Sequence, residues 1–178
     1  MNFQFKLSFD DFLQYQLYTV SQSKRVKKKK MRSWIRIPAL LGLLAIYMSF
    51  KNLDYATSYG ILAATWALGY PLYFKWLYKR HFSKHIKENY KSKIGETINL
   101  SLTENTLISE DDGSEAKIKF KEFADIIELP NNLILRTKKG DALIVPKTMN
   151  DYKLLAPLLI EKASKNNITW LNETLWKW

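Results

Sequence analysis

Two uncharged runs, separated by only four residues, limit what this chain can fold into more than any other feature. Residues 37–50 are 14 positions without a charge, or 17 counted from Trp34 with Arg36 included, and residues 55–74 are another 20. At about 1.5 Å per helical residue these lengths span roughly 25 and 30 Å, against a hydrocarbon core of about 30 Å. A soluble helix of this length normally shows water a polar face. The runs therefore predict a transmembrane hairpin over residues 34–78, with helices at about 34–50 and 55–77, turning at Lys51-Asn52-Leu53-Asp54. Pro38 then falls in the first turn of its helix, where backbone amides are unpaired anyway. The first run begins too far from Met1 for a short signal peptide, so it reads as an uncleaved signal anchor.

Charge sets the orientation. Up to Lys91 the chain has 16 Lys and Arg against 4 acids, whereas from Ser92 onward it has 12 against 13. The overall charge of +11 thus belongs to the N-terminal half. Before the first run stand Lys24, Arg25, Lys27, Lys28, Lys29, Lys30, Arg32 and Arg36; after the second stand Lys75, Lys79, Arg80 and Lys84. The connecting turn has only Lys51, opposed by Asp54. Positive flanks stay on the cytoplasmic side, so a multi-pass protein of the cell membrane with both termini cytoplasmic is expected. The twelve cations form a flank for an anionic inner leaflet, each contributing about 1 kcal/mol near its surface. Trp34, Trp76 and Tyr78 sit where interfacial aromatics belong. Because these cations border apolar runs and do not stripe a folded face, nucleic acid is not expected as a partner.

The remainder is organised around the hairpin. Residues 2–9 alternate polar and apolar, the mark of a half-buried strand. Ser8 or Asp10 can cap a helix over about 11–23, with Phe12, Leu13, Leu17 and Val20 on one side; it packs on its own protein or lies in the membrane surface. Residues 1–33 thus form an N-terminal strand, helix and basic flank, and residues 79–95 a basic helical extension. Small residues Gly42, Ala45, Ala56, Gly60 and Ala64 offer close helix packing, either within the hairpin or as the seam of a homo-oligomer.

From Glu96 the pattern turns to strands. Residues 97–102, 106–109, 116–121, 123–129, 133–138 and 142–146 read as six, with Asp112-Gly113, Pro130-Asn131-Asn132 and Lys139-Gly140-Asp141 as turns. A helix over about 150–165 closes this domain of residues 96–178, with a kink or break expected at Pro157. The tryptophans Trp170, Trp176 and Trp178 either dock on this domain or rest at a membrane interface.

Chemistry is sparse. There is no cysteine, no nucleophile elbow and no Gly-rich phosphate loop. His81, His85 and Glu88 share one helical face at metal-like spacing, but Lys79, Arg80, Lys84 and Lys87 crowd the same stretch and repel a cation. No metal, cofactor or catalytic residue is expected. The acids Glu110, Asp111 and Asp112 lack the alternation of a calcium loop and belong to a turn. Thr137, Lys138, Lys139 and Lys147 are candidates for a small basic patch at a sheet end.

Several segments together resemble the YcxB-like family of bacterial membrane proteins. They are residues 9–13 (FDDFL), 21–24 (SQSK), 87–90 (KENY), 117–120 (KIKF), 123–128 (FADIIE) and 143–147 (LIVPK). The resemblance implies a pleckstrin-homology-like domain, a bent antiparallel sheet or partial barrel closed by a C-terminal helix, and implies no activity. The fold class expected is therefore α+β, a transmembrane hairpin plus this domain. Such a sheet usually has seven strands, and residues 2–9 are predicted to supply the seventh at one edge, burying Phe3, Phe5, Leu7 and Phe9. The function expected is a non-catalytic module presenting a cytoplasmic binding or scaffold domain to lipid or a protein partner. The alternative is a membrane enzyme or transport subunit using His81, His85 and Glu88 or helix oligomerisation.

Overall fold

A computed structural model describes residues 1–178. Its elements, in order, are β1 (Asn2–Lys6), α1 (Phe9–Gln22), α2 (Lys24–Ser49), α3 (Leu53–Asn89), β2 (Thr97–Leu102), β3 (Thr106–Asp111), β4 (Ser114–Lys119), β5 (Phe123–Glu128), β6 (Asn132–Thr137), β7 (Ala142–Pro146), α4 (Tyr152–Lys165) and β8 (Thr169–Asn172). The fold is mixed α+β, and its chain divides into two compact units. A β unit comprises Met1–Tyr15 and His85–Lys177, and a helical unit comprises Gln16–Lys84 with Trp178.

The β unit contains two four-stranded sheets, ordered β1-β2-β3-β4 and β7-β6-β5-β8. The first is antiparallel throughout, and β1 occupies the edge predicted for it, with Phe3 opposite Leu100 and Phe5 opposite Ile98. Phe3, Phe5 and Leu7 are buried, whereas Phe9 is only half-buried, because it already belongs to α1. Burying three such side chains contributes about 4–9 kcal/mol before the cost of ordering the strand. The Met1 ammonium donates to the Leu102 carbonyl (3.0 Å) and the Gly95 amide to the Leu7 carbonyl (2.9 Å), closing both ends of the pairing.

The second sheet corrects two expectations. It is not wholly antiparallel, since β8 runs parallel to β5. That arrangement is open to the chain because α4 carries it back along the sheet after β7, as parallel neighbours require. Nor is α4 the last element, and it continues through Pro157 without a break. The proline lacks one intrahelical donor and stands on an exposed side of the helix, where solvent can reach the freed carbonyl. Leu155, Leu159 and Ala163 form its buried face. The six strands after Glu96 fall at β2 to β7 within two residues at each end. Gly140 has φ +98°, a conformation glycine adopts freely, and closes the β6–β7 turn.

α1 starts with a reciprocal cap. The Ser8 hydroxyl accepts from the Asp11 amide (3.3 Å), and the Ser8 amide donates to the Asp11 carboxylate (2.7 Å). Phe12, Leu13, Leu17 and Tyr18 are all buried, so α1 packs on its own protein and does not lie in a membrane surface.

In the helical unit, both helices are longer than their apolar runs. α2 begins at Lys24, so the basic run is helical and continuous with the apolar one. Pro38 is consequently interior to the helix and not in its first turn. α2 is the one helix long and apolar enough to cross a membrane, and none of its qualifying window is buried. The expected second crossing does not meet the same measure. The run in α3 is uncharged, but Tyr, Trp, Thr, Ser and Gly dilute its mean hydropathy.

Candidate functional site

Most of the candidate residues lie in the helical unit, on α2 and α3. Trp34 was expected at a membrane boundary; the structure gives its indole a specific partner, the Ala67 carbonyl at 2.8 Å. The reason lies four residues further on. Pro71 is inside α3 and has no N–H, so the Ala67 carbonyl loses its helical donor. In an apolar setting an unpaired carbonyl costs about 1–3 kcal/mol, and a neighbouring helix commonly satisfies it. Trp34 does so here.

Toward the basic end of α3, aromatic residues recur at every fourth position: Trp66, Tyr70, Phe74, Tyr78 and Phe82. Their successive ring centroids lie 5.3, 6.1, 4.3 and 6.2 Å apart, so each ring contacts the next. The Lys30 ammonium sits 5.2 Å from the centre of the Phe74 ring, and Phe74 is buried. In the same region the Trp178 ring packs tilted against Tyr78 (6.3 Å), and its indole donates to the Lys75 carbonyl (3.0 Å). The i, i+4 aromatic spacing was present in the sequence.

Two of the small residues singled out for close helix packing have open space beside them. A side chain added at Gly42 or Gly60 would meet no atom within 4 Å. Gly60 and Ala64 are exposed, while Ala45 and Ala56 are half-buried. Of the interfacial aromatics, Trp76 is exposed with the Arg80 guanidinium 5.2 Å from its ring centre, and Tyr78 belongs to the aromatic ladder.

The basic flank gathers on one side of α2. Arg25, Lys28, Lys29, Arg32 and Arg36, with Ser33, line an open concavity of about 380 Å³. Lys27 is directed elsewhere, toward the Gln22 side-chain carbonyl (3.4 Å). A second concavity of about 340 Å³ is lined by Lys29, Tyr70, Phe74, Leu77, Tyr78 and His81. Lys29 borders both.

The histidine face does not assemble a metal centre. No group of three or more His, Cys, Asp and Glu side chains is positioned to hold an ion. His81 rests edge-on to Phe82 (5.3 Å), and His85 is hydrogen-bonded through Nδ1 to the Asn89 amide (3.0 Å). The expected basic patch in the β unit is neutralised at one of its lysines. Lys147 pairs with Glu128 (2.8 Å) and Lys138 donates to the Lys121 carbonyl (2.8 Å). Glu128 further accepts from the Trp170 indole (3.3 Å), which joins β8 to β5. Burial, assisted by the Glu128 carboxylate, pushes the nearby Tyr152 hydroxyl up to about 12. Asp125 is buried and paired with Arg136 on β6. At the β3–β4 turn, the Ser114 hydroxyl (2.7 Å) and then Lys93 (3.7 Å) hold the Asp111 carboxyl below its usual range.

A family model described as YcxB-like protein matches residues 102–155, from the end of β2 into α4. No curated protein and no solved structure matches the chain.

Proposed function

We propose that this chain, with its YcxB-like segment in the β unit, is a non-catalytic membrane protein. In this reading α2 and α3 cross the bilayer as a hairpin and present the β unit as a pleckstrin-homology-like binding or scaffold module at the inner leaflet. One observation carries it. α2 buries none of its 26 residues, and its apolar side chains stand outward, Leu40 at 61% exposed and Leu43 at 66%. On α3, Leu68 is 80% exposed and Leu72 is 72% exposed. An apolar surface this extensive is a liability in water and ordinary in lipid.

Connectivity supports two crossings over one. β1 precedes α2, β2 follows α3, and the two strands pair. A segment whose two ends enter the same sheet must begin and end on the same side of a membrane. If α2 crosses, α3 has to bring the chain back, and its uncharged run of 20 residues is long enough at about 1.5 Å per residue. The tyrosines and tryptophan that lower its hydropathy suit a helix partnered by another and anchored at the headgroups. The cations at the open end favour the cytoplasmic side for both termini.

The reading is tested by extracting membranes with alkaline carbonate and weighing the retained chain. A spanning hairpin stays with the lipid at its full mass. Release into the supernatant, or removal of α2 by a signal peptidase, would contradict it.

A further inference from the structure

The helical unit holds thirteen Lys and Arg against one acid, Asp54. Asp54 lies in the first turn of α3, and about 20 Å of helix separates Arg36 from that turn, at ~1.5 Å per residue. Screening over a Debye length of about 8 Å removes any useful attraction across that gap. Seven of the first nine residues of α2 are basic and none of its first turn is acidic. These charges therefore oppose the positive end of the helix dipole, where an anion is the stabilising partner. Arg25, Lys28, Lys29, Arg32 and Arg36 are all exposed, and none of them forms an ion pair.

The two concavities differ in chemistry and share Lys29. One is lined by five cations and a hydroxyl, and the other by Tyr70, Phe74, Leu77, Tyr78 and His81 beside Lys29. Free phosphate would use only the first. A molecule with a phosphate joined to an apolar body uses both. We propose that one anionic phospholipid occupies this two-lobed site. Its phosphate lies among Arg25, Lys28, Lys29 and Arg32, where guanidinium forks match phosphate oxygens. Its glycerol and upper acyl chain lie against Phe74, Leu77 and Tyr78. This rests on the reading of the hairpin as membrane-embedded and assigns that hairpin a particular lipid class.

The test uses the full chain in neutral detergent, with phosphatidylglycerol or phosphatidylcholine added, and native mass spectrometry to count retained lipid. Lys29→Glu is compared with Lys27→Glu, which changes net charge equally but lies on the opposite side of α2, given 3.6 residues per turn. Lys29→Gln serves as the milder variant. The expected result is one phosphatidylglycerol per chain in preference to phosphatidylcholine. Retention falls by about tenfold in Lys29→Glu and by less than about twofold in Lys27→Glu, the difference between a charge-assisted contact and a diffuse field. Equal loss in the two variants, no preference between the lipids, or displacement of the lipid by millimolar inorganic phosphate would each overturn the site. Carbonate extraction of Lys29→Glu stays as in the native chain, so failure of the hairpin reading is seen separately.

Discussion

The β unit and the helical unit use leucine in opposite ways. Leu100, Leu107, Leu135 and Leu155 in the β unit are fully buried, while Leu40, Leu43, Leu68 and Leu72 in the helical unit are more than half exposed. Their surroundings in sequence explain the contrast. Where apolar residues alternate with Thr, Asn, Ser or Lys, the strand has an inside and an outside, and the apolar side turns in. Where they follow one another without a charge, a helix has no polar side to show water. The difference teaches that a similar content of apolar residues is turned inward or left outward, depending on whether polar residues are interleaved or pushed to the ends.

The largest effect that would sharpen this contrast is expected at β1. Phe5→Asp places a charge among buried side chains of the first sheet and is expected to destabilise the β unit by about 4 kcal/mol or more. Urea unfolding followed through the strand signal measures it; the helical signal of α4 should be lost with it, while that of α2 and α3, the larger share, should hold. A loss below about 1 kcal/mol would mean that β1 adds little to the sheet.

Next in size comes a matched pair of truncations. Leu135→Ala is expected to cost about 2–5 kcal/mol through lost burial and a cavity, whereas Leu43→Ala should change stability in detergent by less than about 0.5 kcal/mol. Similar values at the two sites would erase the distinction between the units. A smaller loss than that at Leu135 is expected for the bond between α2 and α3. Trp34→Phe keeps most of the ring but leaves the Ala67 carbonyl without a donor, at a cost of about 1–3 kcal/mol. Replacing Pro71 by Ala as well restores the missing amide and should recover most of that loss, as a double-mutant cycle would record.

Much of the β unit was legible because period-two alternation and turn residues such as Asp112-Gly113 act locally. β1 was legible too, through the count of strands and its clean alternation, although its partner lies some ninety residues away. β8 was not, because Thr169–Asn172 is short and its pairing with β5 is parallel and long-range. In the helical unit the apolar runs marked hydrophobic limits and not helix limits. Lysine and arginine are good helix formers, so α2 extends ten residues before Trp34. The link between Trp34 and Ala67 was hidden for a different reason. It depends on a donor that Pro71 lacks, which becomes visible only when the two helices are side by side.

The pairing of β1 with β2 requires the intervening chain to return to the side it left, and the central claim is that it does so through the membrane. The chain has no cysteine, so single cysteines at Asn52, in the α2–α3 turn, and at Gly113, in the β3–β4 turn, report each side cleanly. With an impermeant thiol reagent on intact cells, Asn52→Cys is expected to label, and Gly113→Cys only after the cells are opened. Labelling of Gly113→Cys in intact cells, or of neither position until lysis, would contradict the account.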